Sequence, residues 1–337
     1  MKDFSFRNVL ALMAKTMPFL VFRFLIYMGL TIGFLLVSGV GAGIGAGLGL
    51  IAGNAAAGSA WGGIAGFGVA GGILILIREY LLYIVKAGHI AVLVEIAQGH
   101  EIPGGKGQID YARRRVQERF GTSSLLFGLD QLIKGILRAF NRVFLSLASL
   151  FPLAGASAVA GIANKIINLS LTYLDEVILA YLMKTRAENP WAASRTALIL
   201  YAQNYTAFLR NAVWLAAFIW GLTIAVFVAV LAPAAILAYL IPGVAGVLSL
   251  IVALVFAWGL KQALIEPVGM TALMQVYFKV TEGQVANPDW EAKLDRVSAR
   301  FSKLAGKARD WKGPDSPQPA PVPVAPPPPP PPAPAPG

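Results

Sequence analysis

Long apolar runs separated by short basic connections organise this 337-residue chain. About 20 helical residues cross the ~30 Å hydrocarbon core of a bilayer, so an apolar run of about 18 or more predicts a membrane span. The first such run is 17–38, interrupted only by Arg23, whose long side chain can snorkel back to the head groups. A glycine-rich stretch, 39–60, then reads as a tight apical segment, part of a longer helix or a re-entrant loop, before a second span near 61–85. Runs at 143–163 and 166–183 predict a third and fourth span, and 213–231 and 235–260 a fifth and sixth.

The basic residues test this count, because short loops rich in Lys and Arg stay in the cytoplasm. Lys2, Arg7 and Lys15 precede the first span; Arg113, Arg114, Arg115, Arg119, Lys134 and Arg138 lie within 100–142; Arg186 and Arg195 fall in the next connection; and Lys261 and Lys279 follow the last span. All four segments share one side only if an even number of spans separates them. The expected fold is therefore an all-α, polytopic bundle of about six transmembrane helices in a cell inner membrane, both termini cytoplasmic. Its parts are a cytoplasmic N-terminus (1–16), a first hairpin (17–99), a basic connection (100–142) and a second hairpin (143–184). An interfacial helix (185–212), a third hairpin with an interfacial helix (213–283), a basic amphipathic helix (284–312) and a polyproline tail (313–337) follow.

Composition agrees with lipid exposure. The chain is 57% hydrophobic and only 13% charged, against roughly 25% charged residues in a soluble domain. Its 28 Lys and Arg outnumber 17 Asp and Glu, which reads as loops meeting an anionic leaflet, not as a nucleic-acid groove. The N-terminal apolar run is too long for a signal-peptide core and has no small-residue cleavage site, so it is expected to be retained. The chain has no cysteine and only His89 and His100, so no metal site is expected. Neither a Walker phosphate loop nor a Gly-x-Ser-x-Gly or His-Glu-x-x-His motif occurs; no cofactor and no enzymatic activity are expected.

Two connections read as amphipathic helices. Ile109, Ala112, Val116 and Phe120 recur at helical spacing beside arginines, and Trp290, Leu294, Val297, Phe301 and Leu304 form a stripe flanked by lysines and arginines. The second rests on the inner leaflet or on the protein's own cytoplasmic face. Asn189-Pro190 and Asn287-Pro288 are helix starts, asparagine capping and proline fitting the first turn. Residues 316–337, with seven consecutive prolines at 326–332, predict a disordered, extended polyproline II tail.

Four features carry candidate function. Gly41, Gly45, Gly49 and Gly53 are four apart, a spacing that lets helices pack closely within the bundle or between copies of the chain, or forms a mobile or pore-lining element. Asn164, Asn168, Thr172 and Asp175 share one helical stripe with Glu176 adjacent; this lines a cation path, or the two acids are solvated or paired with Lys184 or Arg186. Glu266 precedes Pro267, which marks a broken helix or the end of a span. Lys86 shares a helical arc with Arg78, Glu79 and His89 and is expected to pair with Glu79. The aromatics Tyr173, Tyr181, Trp191, Tyr201, Tyr205, Trp214 and Trp220 either attract a quaternary ammonium or form an interfacial belt.

Gly121-Thr122-Ser123-Ser124-Leu125-Leu126-Phe127-Gly128, followed by Gln131, Ile133, Ile136 and Leu137, resembles the glycine-containing stretch before the later spans of the choline-transporter-like proteins. Asn189-Pro190-Trp191-Ala192-Ala193-Ser194-Arg195-Thr196-Ala197-Leu198 resembles the same family's run of asparagine, small pair, arginine and alanine. The likeness covers about 121–283. Absent cysteines, a shorter chain, and Pro190, Trp191 and Thr196 depart from the family. The resemblance implies a transporter-like fold and an amine substrate, with no ligand residue carried over. The sequence thus suggests transport of a small solute, a cation among the candidates, without ATP hydrolysis, along Asn168, Thr172, Asp175, Glu176 and Glu266. The alternative is a membrane-anchored scaffold whose tail recruits a polyproline-binding protein.

Overall fold

The structure, a computed structural model, describes residues 2–102, 106–120, 127–138, 165–166, 168–240 and 244–313; side chains at 69–80 and at a few other helical positions lie outside the described residues. Among the described residues every regular element is helical. The polyproline tail and the 143–163 run fall outside them.

Two long antiparallel hairpins rise from a broad base. Helix α1 (Phe6–Lys15) starts at Ser5, whose Oγ accepts a bond from Asn8 N at 3.4 Å. At Thr16 the chain turns by 74° into α2 (Met17–Ile51). This helix runs unbroken for 35 residues, about 52 Å at a rise of about 1.5 Å per residue. Gly53, with φ +77°, makes the reversal, and Asn54 Oδ1 accepts from Ala57 N at 2.9 Å to start α3 (Ala55–Ala97). The 39–60 stretch is therefore the top of two helices joined by a tight turn.

Glycine alone makes the approach of α2 to α3 possible. A Cβ on Gly41 would lie 2.9 Å from Gly66 Cα, one on Gly45 2.7 Å from Gly62 Cα, and one on Gly49 2.9 Å from Gly58 Cα. Nothing lies within 4 Å of a Cβ at Gly39, Gly43 or Gly47, which face outward with Val40, Ile44 and Leu48. The hairpin thus has a backbone-on-backbone seam and an apolar, uncovered exterior.

The second hairpin pairs α8 (Tyr205–Leu240) with α9 (Val244–Leu260). The latter continues through a π-helical turn, Lys261–Ile265, into α10 (Glu266–Val280). Pro267 explains the turn: a proline clashes with the carbonyl four residues back, and the wider π turn accommodates it. Glu266 N donates to Lys261 O, the five-residue spacing of that turn. Near the base the hairpins meet through Phe24 with Phe256 (centroids 5.9 Å) and Tyr27 with Trp258 (6.3 Å).

Among the described residues two helices are long and apolar enough to cross a membrane, Tyr205–Leu240 and Ser249–Val280; the bent pair Phe6–Lys15 and Met17–Gly33 makes a third if it counts as one span. Their outer faces carry exposed apolar side chains such as Ile224, Val228 and Leu254.

The base holds the core. Here α6 (Leu174–Thr185), α7 (Pro190–Gln203) and α10 bury most of their side chains against each other and against the 83–94 part of α3. Leu174, Val177, Ile178 and Ala180 are fully enclosed, so the C-terminal half of the predicted fourth span is packed within the protein. Helix α5 (127–138) adds Leu129, Ile133 and Ile136 to this core. Helix α4 (Lys106–Phe120) buries Ala112 against Phe19 and Val92, and Arg115 reaches Glu95 at 2.8 Å, so its apolar stripe is used by the protein itself. Both asparagine-proline starts are present: Asn189 accepts from Trp191 N and Ala192 N, and Asn287 from Asp289 N. The C-terminal amphipathic segment is two helices, α11 (Pro288–Val297) and α12 (Ala299–Arg309), separated at Ser298.

Candidate functional site

Where the hairpins enter the base, charged side chains from five elements converge. Lys86 of α3 sits between two acids, 2.5 Å from Glu176 Oε1 on α6 and 4.0 Å from Glu266 Oε2 on α10. Lys261 of the π turn lies 3.4 Å from the other oxygen of Glu266. In the orientation that satisfies both its ends, the Gln262 amide donates to Glu266 Oε2 at 3.1 Å. The Gln262 carbonyl accepts from Arg23 at 3.3 Å. Arg23 itself is only 3% exposed and its Nε has no partner among the described residues. It is therefore a buried charge, not the snorkelling one expected from its place in the sequence.

A second cluster adjoins the first through the neighbouring residues Asp175 and Glu176. Lys134 of α5 bonds Asp130 at 2.7 Å and lies 3.7 Å from Asp175. Together Arg23, Lys86, Lys134 and Lys261 balance Asp130, Asp175, Glu176 and Glu266. Such charges are costly in an apolar bundle unless paired and hydrogen-bonded, and each acid here has a cationic partner.

The expected path residues are only partly brought together. Asn168, Thr172 and Asp175 line a cleft of about 400 Å³ with Lys134 and Arg138, while Glu176 and Glu266 meet around Lys86 on the other side of α6. The Thr172 hydroxyl donates to Asn168 O at 2.7 Å. Asn164 and the Glu79 side chain lie outside the described residues. Lys184 and Arg186 are not the partners of Asp175 and Glu176; those are Lys134 and Lys86, from helices distant in sequence. Of the glycines, Gly41, Gly45 and Gly49 form the seam, and Gly53 makes the turn above it.

The aromatics divide by position. Tyr173, Trp191, Tyr201 and Tyr277 are core side chains. Tyr277 donates to Ala197 O at 3.0 Å, and Tyr201 to Ser170 Oγ at 3.2 Å. Trp214 and Trp220 are exposed on α8. His89 is buried, stacked on Phe19 at 5.3 Å and bonded through Nε2 to Thr16 Oγ1 at 3.0 Å. No metal-ligating group of three or more His, Asp or Glu occurs among the described residues.

Sequence reasoning missed Asp130, Lys134 and Arg23 as site members, and Gly58, Gly62 and Gly66 as the facing half of the seam. The four-residue spacing of those last glycines was the available signal.

Comparison with protein-family models, with curated proteins and with solved structures returns no match.

Proposed function

We propose that the chain is a multi-pass inner-membrane protein that moves a small solute, a cation among the candidates, without ATP hydrolysis, with the charged junction below the hairpins as its point of recognition. The observation that carries this reading is Lys86 held between Glu176 and Glu266. Ionisable side chains at membrane depth or at its edge favour functional roles, and an ammonium between two carboxylates occupies the place a substrate amine would take. The neighbouring π turn supports movement of Glu266, because such turns are frequent at functional sites. Both termini are cytoplasmic in this reading, since the basic residues gather at the base. The six-span arrangement, including the 143–163 run, belongs to the same proposal.

Uptake of labelled choline and related amines into proteoliposomes tests it, with Glu176→Gln and Asp175→Asn beside the wild type. Saturable uptake that falls at least about tenfold in a folded, correctly inserted Glu176→Gln protein supports the reading, as the loss expected for one charge-assisted contact of about 1.5–3 kcal/mol. No uptake of any amine from a monodisperse, oriented preparation sinks it.

A scaffold role is the second reading, favoured by how the C-terminal helices dock. Arg195 bonds Glu291 at 2.8 Å and Asp295 at 2.5 Å, and its guanidinium covers the Phe301 ring at 4.2 Å. This clasp holds α11 and α12 on α7, so the polyproline tail that follows starts from a fixed point on the base. Deleting 316–337 should then abolish partner recruitment and leave amine uptake unchanged.

A further inference from the structure

A second polar feature lies on the base, away from the paired junction. The N-terminal segment is strapped across α8 and α10: Asp3 N donates to Asn211 Oδ1 at 2.6 Å, Ser5 N donates to Gln275 Oε1 at 3.2 Å, and the Asp3 carboxylate takes Arg210 at 2.9 Å and Lys279 at 3.3 Å. Between this strap, α1 and the ends of α3, α6 and α10 opens a cleft of about 680 Å³. Lys2, Lys15, Lys184 and Lys279 line it, and Asp3 is its one acid.

That acid is already matched by Arg210, which does not line the cleft. Among the described residues no carboxylate lies within 4 Å of Lys2, Lys15 or Lys184. Two of these ammonium groups rest on aromatic faces, Lys2 on Phe6 and Lys184 on Phe278, each 4.2 Å from the centroid. Such contacts steady the charge and leave its N–H groups free to donate. Lys279 already bonds Asp3, but the three remaining ammonium groups around one concavity repel unless an anion joins them. A tetrahedral phosphate, with several acceptor oxygens, satisfies more than one ammonium at once.

The rest of the lining suits the organic part of a phosphate ester: Leu12, Ile96 and Phe278 supply apolar wall beside the lysines. Location adds to this. Helix α1 buries Val9 and Met13, exposes Arg7 and Leu10, and lies at 74° to the helix that follows. If α2 crosses a bilayer, α1 lies along its surface, the geometry of an interfacial helix, where anionic head groups are concentrated.

We infer that this cleft is a phosphate site, taking the phosphate of an anionic lipid head group or of a small phosphate ester. The inference goes beyond solute passage and does not depend on it.

The test uses the full-length protein in phosphatidylcholine nanodiscs, titrated separately with phosphatidylglycerol in the bilayer and with glycerol 3-phosphate in solution at constant ionic strength. Binding is read by native mass spectrometry and by the shift in melting temperature. Three variants accompany the wild type: Lys15→Gln with Lys184→Gln; Lys15→Arg with Lys184→Arg; and Arg113→Gln with Arg114→Gln, which removes the same charge from an exposed face of α4. The first should weaken binding on the order of tenfold, and the other two should bind as the wild type does. Selective binding of phosphatidylglycerol alone identifies a lipid head group as the ligand, and binding of glycerol 3-phosphate as well identifies a site open to free esters. No preference for phosphatidylglycerol over phosphatidylcholine together with no binding of glycerol 3-phosphate overturns the inference. So does an equal loss in the Arg113, Arg114 variant, which would mean unspecific attraction.

Discussion

Gly45 and Gly43 are two residues apart on one helix and have opposite surroundings. A methyl group on Gly45 would meet the Gly58 carbonyl and, at 2.7 Å, the Gly62 Cα, both backbone atoms with nowhere to go. Gly45→Ala should therefore destabilise the hairpin by about 1–3 kcal/mol. At Gly43 nothing lies within 4 Å, and Gly43→Ala should stabilise the helix by up to about 1 kcal/mol. Unfolding titrations of the two variants in the same detergent check the contrast; equal effects would mean the helices do not touch along this seam. Lys86 poses a related question of isolation against pairing. Lys86→Met leaves Glu176 and Glu266 without their shared cation and should cost about 3 kcal/mol, whereas Lys86→Met with Glu176→Met should recover much of the loss. A double-mutant cycle on unfolding free energy measures it. Asp3 gives a pH signature. Its hydrogen bond from Asn211, with Arg210 and Lys279 beside it, lowers its pKa from 3.8 to about 2 despite partial burial. Since the folded carboxylate titrates below the unfolded one, its contribution is complete above about pH 4 and is lost as the pH falls through about 2. Asp3→Asn should flatten the melting temperature against pH in that window alone. The sequence showed each of these residues but not its partner, because Lys86 with Glu176 and Asp3 with Arg210 are joined by packing between distant helices, which leaves no local pattern.

Helices were legible where local chemistry ends them. Asn189 and Asn287 cap as their sequence position suggests, because the bond from a side-chain oxygen to a backbone N–H two or three residues on is purely local. Ser298 is the counter-example. Trp290, Leu294, Val297, Phe301 and Leu304 read as one stripe, yet the chain breaks at Ser298, whose φ and ψ of −142° and 103° are extended and whose Oγ accepts from Phe301 N. The break lets Leu294, Phe301 and Leu304 all reach the base, while Val297 is left half-exposed. Arg195 then closes the joint, donating to both acids of α11 and to Phe301 O at 3.1 Å. Burial raises the Asp295 carboxyl, but the bonds from Arg195 and Ser302 outweigh it and hold the group below its ordinary range. Ser298→Ala should lower stability by about 1 kcal/mol, the usual cost of a lost cap, with the loss confined to α12 in hydrogen-exchange protection. The glycine-rich stretch was the hardest element to read. Glycine disfavours a helix by about 1 kcal/mol per residue relative to alanine, and only the facing series at Gly58, Gly62 and Gly66 shows why a long helix persists there.

At the scale of the molecule, two slender apolar hairpins stand on a wide base that is packed like a soluble core and carries the paired charges. Hydropathy separates apolar from polar runs and so identified the exposed apolar faces of the hairpins, but it cannot distinguish a helix enclosed by other helices from one enclosed by lipid, which is why α6 read as a span. If the hairpins enter a bilayer from the charged base, their tips and the base lie on opposite sides of it, and a chain without cysteine lets this be measured directly. Single cysteines at Asn54 and Tyr239, the two tips, and at Lys184 and Ser302, on the base, would be exposed to a membrane-impermeant thiol reagent in sealed vesicles of known orientation. Asn54→Cys and Tyr239→Cys should react from the side opposite to Lys184→Cys and Ser302→Cys. Labelling of tips and base from the same side would contradict it.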